Sequence, residues 1–178
     1  MRNKFVRQQE IKDCGVTCLY NIIRYYKGNI SIDKLRNLTK TDENGTSIYN
    51  IVEASNKLGL KSNAYMCKYN SLKKIPWPFI AHIKLDEKYD HFIIIKNIKK
   101  DKIIVEDPIR GKVIYDKNMF LKEWTNVVIT FEKTNDLVKE NTEKNICVFN
   151  HFLSFSFYYL DLCVHIFFTK FVLFKCFI

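Results

Sequence analysis

Residues 8–31 read QQEIKDCGVTCLYNIIRYYKGNIS, and this stretch predicts the first helix of the molecule. From Cys14 onward, apolar residues recur at helical spacing, at Val16, Leu19, Tyr20, Ile22, Ile23 and Tyr26. Asp13 precedes this run, where a carboxylate can cap the free amides, and Gly28 closes it. Cys14 is therefore expected at a helix N-terminus, where the free amides and the helix dipole favour a thiolate.

The pattern changes from helical to extended along the next hundred residues. Two further helices are predicted, one over Ile32–Leu38 and one that begins after Thr46-Ser47 and ends at Gly59. Short apolar segments rich in β-branched residues then predict strands at Leu60–Met66, Phe79–Ile83, His91–Ile98, Lys102–Glu106, Gly111–Asp116 and Val127–Phe131. A hairpin turn is predicted at Asn97–Asp101 and a short helix at Met119–Thr125. Helices followed by antiparallel strands predict an α+β domain.

Charge is distributed unevenly along the 178 residues. The chain contains 29 Lys and Arg and 19 Asp and Glu, for a formal net charge of +10. Residues 146–178 contain only Asp161, Lys170 and Lys175 as formal charges, a net +1 that leaves +9 for residues 1–145. This apolar tail is long enough to cross a bilayer as a helix, and we expect a membrane segment there. A buried or amphipathic C-terminal helix is the alternative.

These patterns divide the chain into a globular domain over residues 1–132, a polar linker over residues 133–145 and the apolar tail. Residues 1–10 are polar and charged and lack the apolar run of an export signal, so we expect the globular part to stay in the cytoplasm. The cysteines are scattered and include no Cys-x-x-Cys pair, so neither a disulfide framework nor structural zinc is expected. The lysines are scattered too, without a recognition motif for nucleic acid, and no nucleic-acid partner is expected.

A reactive cysteine needs a histidine that accepts its proton and often a third group that orients the histidine. His91 opens a predicted strand, whereas His82 lies within another and is better interpreted as a core or surface histidine with its hydrogen bonds satisfied. Asp107 ends the strand that the hairpin pairs with the strand of His91, so the two are expected to lie close together. An Asp before Pro is also a common turn residue, and the position of Cys14 taken alone is better explained by a small buried residue.

An acyl-transfer site also needs hydrogen-bond donors for the oxyanion that forms during the reaction. The backbone amide of Cys14 is one candidate. The side-chain amide of Gln8 or Gln9, shortly upstream, is a second.

Taken together, these residues resemble the motifs of the bacteriocin-processing peptidases, which are papain-like cysteine peptidase domains at the N-terminus of peptidase-containing ABC transporters. The family pattern of Gln, four residues, Asp or Glu, and then Cys-Gly is matched by Gln8, Asp13, Cys14 and Gly15. A His followed by an aromatic residue and aliphatic residues occurs at His91–Ile95. The third motif is Asp-Pro followed shortly by Gly, at Asp107, Pro108 and Gly111. The resemblance covers residues 4–132.

The resemblance implies that Cys14 is the nucleophile, His91 the general base and acid, Asp107 the residue that orients His91, and Gln8 part of the oxyanion hole. It implies a papain-like fold with N-terminal helices packed on an antiparallel sheet. The implied activity is cleavage of leader peptides after a double glycine in bacteriocin or peptide-pheromone precursors.

The resemblance also implies a membrane-embedded ABC exporter as partner, and hence a position at the cytoplasmic face of the bacterial plasma membrane. It implies no cofactor and no metal. The sequence contains no Walker glycine loop, so we do not expect this chain to bind ATP.

The sequence departs from the family pattern at two places. Thr17 and Cys18 stand where the family usually has small residues, and Asn126 stands where a Gly usually follows Trp-Thr at the start of the last strand. A leader-binding module without catalysis, or an inactive fragment of an exporter, is the alternative to a peptidase. Because the candidate cysteine, histidine and aspartate are all present, the sequence favours the peptidase.

Overall fold

Three helices come first along the chain: α1 (Cys14–Tyr25), α2 (Ile32–Leu38) and α3 (Ile48–Lys57). The computed structural model describes residues 4–140. Ser31 and Ser47 cap α2 and α3, because each hydroxyl oxygen accepts a hydrogen bond from a backbone amide in the first turn. The predicted cap of α1 is wrong: the Asp13 side chain makes no capping hydrogen bond and binds Arg36 instead.

Six strands and two short helices follow. In chain order they are β1 (Leu60–Met66), α4 (Tyr69–Leu72), β2 (Phe79–Leu85), β3 (Tyr89–Lys99), β4 (Lys102–Asp107), β5 (Gly111–Asp116), α5 (Lys117–Glu123) and β6 (Trp124–Lys133). The strands form one sheet in the order β1-β6-β2-β3-β4-β5, and each neighbouring pair is antiparallel. The predicted α+β class, with N-terminal helices and an antiparallel sheet, is confirmed. The short helix α4 was not predicted, and β6 begins at Trp124, which the sequence analysis placed in a helix.

Two hydrophobic cores bury this sheet on both faces. The first joins α1, α2 and α3 to strand residues that include Ile80, Ile94 and Ile129. The second joins α4 and α5 to strand residues that include Phe79 and Ile93. Because successive side chains of a strand point to opposite faces, the neighbours Ile93 and Ile94 belong to different cores.

Helix α1 lies close to the sheet at Gly15. A Cβ atom at this position would lie 2.9 Å from the Cβ of Thr46 and 3.3 Å from Cδ2 of Phe92 on β3. Such short distances leave no room for a side chain, so glycine permits the close contact. Cys14 is the preceding residue, and the contact therefore holds it beside the strand that carries His91.

The last strand begins without the glycine that the family pattern has there. Asn126 adopts φ +66°, in the left-handed region that asparagine tolerates better than most residues. Its carbonyl accepts a hydrogen bond of 2.9 Å from the amide of Cys67, which follows β1. The replacement of Gly by Asn therefore leaves the pairing of β6 with β1 intact.

Residues 134–140 pack on the helical layer, although the sequence analysis assigned them to a linker that starts at residue 133. The side chain of Leu137 is buried in the first core, and the amide of Val138 donates to the carbonyl of Leu58 at 3.0 Å. The carbonyl of Gly59 accepts from the hydroxyl of Thr134 at 2.8 Å. The folded part of the chain therefore extends to at least residue 140.

The predicted apolar tail at residues 146–178, with its membrane segment, lies outside the described residues. Within residues 4–140, none of the helices has the length and apolarity needed to span a membrane.

Candidate active site

Cys14 is the first residue of α1, and only 8% of it is exposed. The rest of α1 anchors it: Val16, Thr17, Cys18 and Leu19 are buried completely, and the thiol of Cys18 donates to the carbonyl of Phe92 at 3.4 Å. The side chain of Cys14 forms a hydrogen bond with that of His91. The structure therefore brings the predicted nucleophile and the predicted base into direct contact.

His91 and Asp107 meet because β3 and β4 form an antiparallel hairpin. Nε2 of His91 lies 3.2 Å from Oδ1 of Asp107, and the residues are 3% and 0% exposed. This contact leaves Nδ1 of the ring for Cys14. Asp107 is thus placed where it can hold the ring in one orientation, as the paired strand ends predicted.

Asp107 is surrounded by hydrogen-bond donors in addition to His91. Its Oδ1 accepts from the backbone amides of Ile109 at 2.8 Å and Arg110 at 3.1 Å, and its Oδ2 accepts from Nε of Arg110 at 2.7 Å. Burial opposes ionisation, but the hydrogen bonds from His91, from the Arg110 side chain and from the two amides outweigh it and hold the pKa of Asp107 well below its usual value. Asp107 is therefore a carboxylate at neutral pH.

His91 is cationic at neutral pH in this environment. Burial would lower its pKa, but the hydrogen bonds with Asp107 and Cys14, together with their negative charges, outweigh burial and raise the pKa of His91 to about 9. An imidazolium next to a cysteine favours the thiolate form of that cysteine. Cys14, His91 and Asp107 together can therefore form a chain of alternating charge, anion to cation to anion.

Gln8 lies on the N-terminal segment, next to the residue that follows Asp107. Its backbone amide donates to the carbonyl of Pro108 at 3.1 Å, directly after Asp107. Its side-chain NH₂ group donates to the carbonyls of Glu10 at 2.9 Å and Ile11 at 3.1 Å, while Oε1 is buried without a hydrogen-bond partner. Both amide hydrogens are therefore engaged, and donation to an oxyanion requires one of these bonds to open. Gln9, by comparison, is exposed.

His82 is a packed histidine, as the sequence analysis interpreted it. Its Nδ1 lies 2.9 Å from the hydroxyl oxygen of Thr125, its Nε2 lies 3.4 Å from Oδ1 of Asp90, and its ring lies 5.0 Å from the ring of Phe92. Burial lowers the pKa of His82, which favours the neutral ring. Both ring nitrogens of His82 therefore have polar partners, Thr125 and Asp90.

The other described cysteines differ chemically from Cys14. Cys18 and Cys67 are free thiols like Cys14, and burial raises the pKa of both thiols. Cys18 is buried, so the thiol that departs from the family pattern fills space in the first core. Cys147, Cys163 and Cys176 lie outside the described residues. Within residues 4–140, no group of three or more His, Cys, Asp and Glu side chains is arranged to hold a metal ion.

Two arginines at this site were missed by the sequence analysis. Arg110 binds Asp107, and its guanidinium donates to the hydroxyl of Tyr115, which in turn donates to Glu123 at 3.1 Å. Arg36 binds Asp13, directly before the nucleophile. The spacing of three between Asp107 and Arg110 is a local signal that could have been noticed, but Asp13 and Arg36 are 23 positions apart and only folding brings them together.

Comparison with protein families and curated proteins supports one assignment. A model of the peptidase C39 family matches residues 2–136. The chain is 38% identical over 143 residues to the lactococcin-G-processing and transport ATP-binding protein LagD of Lactococcus lactis subsp. lactis, a match that covers 79% of this chain and 20% of LagD. The chain therefore spans about a fifth of the length of that relative.

Solved structures show the same similarity. The peptidase domain of Streptococcus ComA, described as a bi-functional ABC transporter involved in quorum sensing, matches with a TM-score of 0.69 and 29% identity, over 74% of this chain and 98% of that one. A double glycine motif protease from an AMS/PCAT transporter, crystallised in complex with the leader peptide, matches with a TM-score of 0.69 and 25% identity. That match covers 74% of this chain and 91% of the protease.

Proposed function

The chain belongs to the peptidase C39 family, and we propose that it is a cysteine endopeptidase that cleaves leader peptides after a double glycine in bacteriocin or peptide-pheromone precursors. The observation that carries the proposal is the contact chain from Cys14 through His91 to Asp107. These residue types in this order supply a nucleophile, a proton carrier and an orienting carboxylate. The named functions of the related transport proteins and the leader peptide bound to the related protease support the choice of substrate.

In the proposed acylation step, Sγ of Cys14 attacks the carbonyl carbon of the second glycine, and the π electrons of the carbonyl move to its oxygen. The backbone amide of Cys14 donates to this oxyanion, and the side chain of Gln8 adds a second donor once it leaves one of its two carbonyl partners. The oxyanion then re-forms the carbonyl as the C–N bond breaks, and His91 gives its proton to the leaving amine. The product is a thioester on Cys14.

In deacylation, His91 removes a proton from a water molecule as its oxygen attacks the thioester carbon. Breakdown of the second oxyanion releases the thiolate of Cys14 and the leader as a carboxylic acid, which loses its proton to the solvent, and His91 is again an imidazolium. One water is consumed for each peptide bond. Asp107 remains a carboxylate throughout and keeps the ring of His91 in place.

The preference for glycine has a steric basis in this proposal. Cys14 is only 8% exposed, and we propose that a substrate reaches its thiol through a narrow opening at the start of α1. Side chains on the two residues before the scissile bond would collide with the walls of such an opening, whereas glycines would not.

The partner and location follow from the relatives and are part of the proposal. LagD combines processing with transport in its name, and ComA is described as an ABC transporter. We therefore place this peptidase beside a membrane-embedded ABC exporter, at the cytoplasmic face of the bacterial plasma membrane.

The experiment that tests the proposal offers the full chain a leader peptide that contains the double glycine and detects the products by mass spectrometry. We expect one cut directly after the second glycine, and no cut when both glycines are replaced by alanine. Cys14→Ala should bind the leader peptide with unchanged affinity and leave it intact. If the wild-type chain binds the peptide but does not cut it, the leader-binding module without catalysis is the correct function.

A further inference from the structure

The residue directly before Cys14 is a buried acid. Asp13 is 1% exposed, and its carboxylate makes no capping hydrogen bond to α1. Its backbone is held on both sides, since its amide donates to Glu10 at 3.1 Å and its carbonyl accepts from Thr17 at 2.8 Å. A fixed negative charge at this place opposes the formation of a thiolate on the neighbouring residue.

Arg36 of α2 binds this carboxylate in a bidentate ion pair. Nε lies 3.1 Å from Oδ1 and Nη2 lies 2.6 Å from Oδ2, so both oxygens of Asp13 are occupied by one guanidinium. The remaining nitrogen, Nη1, donates to Oδ1 of the exposed Asp33 at 2.7 Å. The hydrogen bond to Asp13 raises the pKa of Arg36, so its positive charge is permanent.

We propose that Arg36 is a positioning residue for the nucleophile: it cancels the charge of Asp13 and fixes the first turn of α1 against α2. Without Arg36, the Asp13 carboxylate would remain buried beside Cys14 with no neutralising partner. The inference deepens the proposed function, because it assumes that the thiolate of Cys14 is the reacting species. It does not depend on the identity of the substrate.

Other charged or titratable groups lie around Cys14 and the Asp13–Arg36 pair, and substitutions at positions 13 and 36 leave all of them in the chain. They are His91 on β3, Asp107 at the end of β4, Arg110 after β4, Cys18 on α1 and Glu10 in the N-terminal segment. The residues of the α3 side that contact the first turn, Thr46 and Ile51, carry no charge. A comparison of variants at positions 13 and 36 therefore isolates the effect of this one ion pair.

The test measures how fast iodoacetamide alkylates Cys14 in the full chain as a function of pH, with the Cys14 peptide quantified by mass spectrometry. Alkylation reports the thiolate directly and needs no peptide substrate. We expect Arg36→Gln to slow the reaction about tenfold at neutral pH and to move the midpoint of its pH profile upward by about one unit. Lys34→Gln removes a positive charge from the exposed side of the same helix and should match the wild type.

The double variant Asp13→Asn with Arg36→Gln separates charge from shape. It removes both charges, and the two amides can still hydrogen-bond, so we expect alkylation within about threefold of the wild-type rate. Asp13→Asn alone removes the opposing charge and keeps that of Arg36, so it should be alkylated faster than the wild type. If circular dichroism and thermal unfolding show that Arg36→Gln fails to fold, the alkylation rate of Asp13→Asn tests the proposal in its place.

Three results would overturn the proposal: a wild-type rate in folded Arg36→Gln, a double variant as slow as Arg36→Gln, or alkylation of folded Asp13→Asn at or below the wild-type rate. A second readout is the cleavage of the double-glycine leader, where Arg36→Gln should lower kcat and leave KM unchanged. If the wild-type chain cuts no such leader, the proposed function fails. The alkylation profiles still decide the role of Arg36 in that case.

Discussion

Asp107 accepts a hydrogen bond from His91 across the β3–β4 pair, with 3.2 Å between Oδ1 and Nε2, although the residues are 16 positions apart in the chain. The bond fixes which ring nitrogen faces Cys14 and helps to keep the ring protonated. Asp107 and Cys14 are hydrogen-bonding partners that raise the pKa of His91, and each can be removed separately by substitution.

His91→Ala should abolish cleavage of a double-glycine leader, because Cys14 loses the group that stabilises its thiolate and protonates the leaving amine. We expect a fall in kcat of at least about 10³-fold, measured with saturating peptide.

His82→Ala is the matched control, since it removes a half-buried histidine that contacts Thr125 and Asp90. It should lower the melting temperature while kcat stays within about threefold of the wild type in the folded protein. Loss of activity in His82→Ala with activity retained in His91→Ala would show that the base is assigned to the wrong histidine.

Asp107→Asn should reduce kcat by about 10²-fold, less than His91→Ala, because the imidazole remains but is held less well. Burial alone would lower the pKa of His91, and the hydrogen bond with Asp107 is the first of the contacts that raise it. An NMR titration of the His91 ring should therefore show a lower pKa in Asp107→Asn than the wild-type value of about 9. An unchanged titration would mean that Asp107 does not act on His91.

The rate of cleavage should fall as the pH rises through about 9, because His91 then loses its proton.

The free energy of unfolding should also depend on the protonation of His91. The folded pKa of His91 lies above its unfolded value of about 6.5, so the protonated ring stabilises the fold fully below pH about 6.5. This contribution, on the order of 3 kcal/mol at most, is lost between pH about 6.5 and about 9.

Urea unfolding at a series of pH values from about 6 to about 10 measures the effect. Asp107 is ionised over this whole range in both states, since its pKa is lowered in the fold. His91→Ala should therefore show a flatter dependence of the free energy of unfolding on pH than the wild type. Parallel curves for the two proteins would contradict the prediction.

Gln8→Ala should lower kcat by about 10²–10³-fold with little change in KM, because an oxyanion donor acts mainly in the transition state. Gln9→Ala should be nearly silent, since this side chain is exposed. If the effects of the two substitutions are exchanged, the oxyanion role belongs to Gln9. Because the NH₂ group of Gln8 is bound to two carbonyls, we also expect Gln8→Ala to loosen the segment before Cys14.

The full chain should associate with membranes or aggregate, while a chain that ends at residue 140 should be soluble and active, because the apolar residues are concentrated in 146–178. Fractionation and a cleavage assay of both chains check this. A chain that ends at residue 132 should be less stable than one that ends at 140. It loses the buried Leu137, a side chain whose burial is worth about 1.5–3 kcal/mol. A soluble, monomeric full chain would exclude the membrane segment.

The sequence by itself determined the helices α1 to α3, the six strands and the order of Cys14, His91 and Asp107. These features depend on local rules: the period of apolar residues distinguishes helix from strand, and a tight turn pairs two neighbouring strands. The turn lies at residues 100–101, at the end of the predicted range 97–101, because β3 continues to Lys99. The nearness of His91 to Asp107 could be predicted because a hairpin is a local structure.

Only the tertiary structure decided what the polar groups around the nucleophile bind. Asp13 has the sequence position of a helix cap, yet its carboxylate binds Arg36 of another helix. Gln8 has the position of an oxyanion donor, yet its amide hydrogens are bound to Glu10 and Ile11. Residues 134–140 are polar enough to suggest a linker, yet they complete the first core through Leu137. In each case several partners were available. For Asp13 and Leu137 the choice depended on which distant segments the folded backbone brought within hydrogen-bonding or packing distance, and for Gln8 it depended on the local path of residues 8–11.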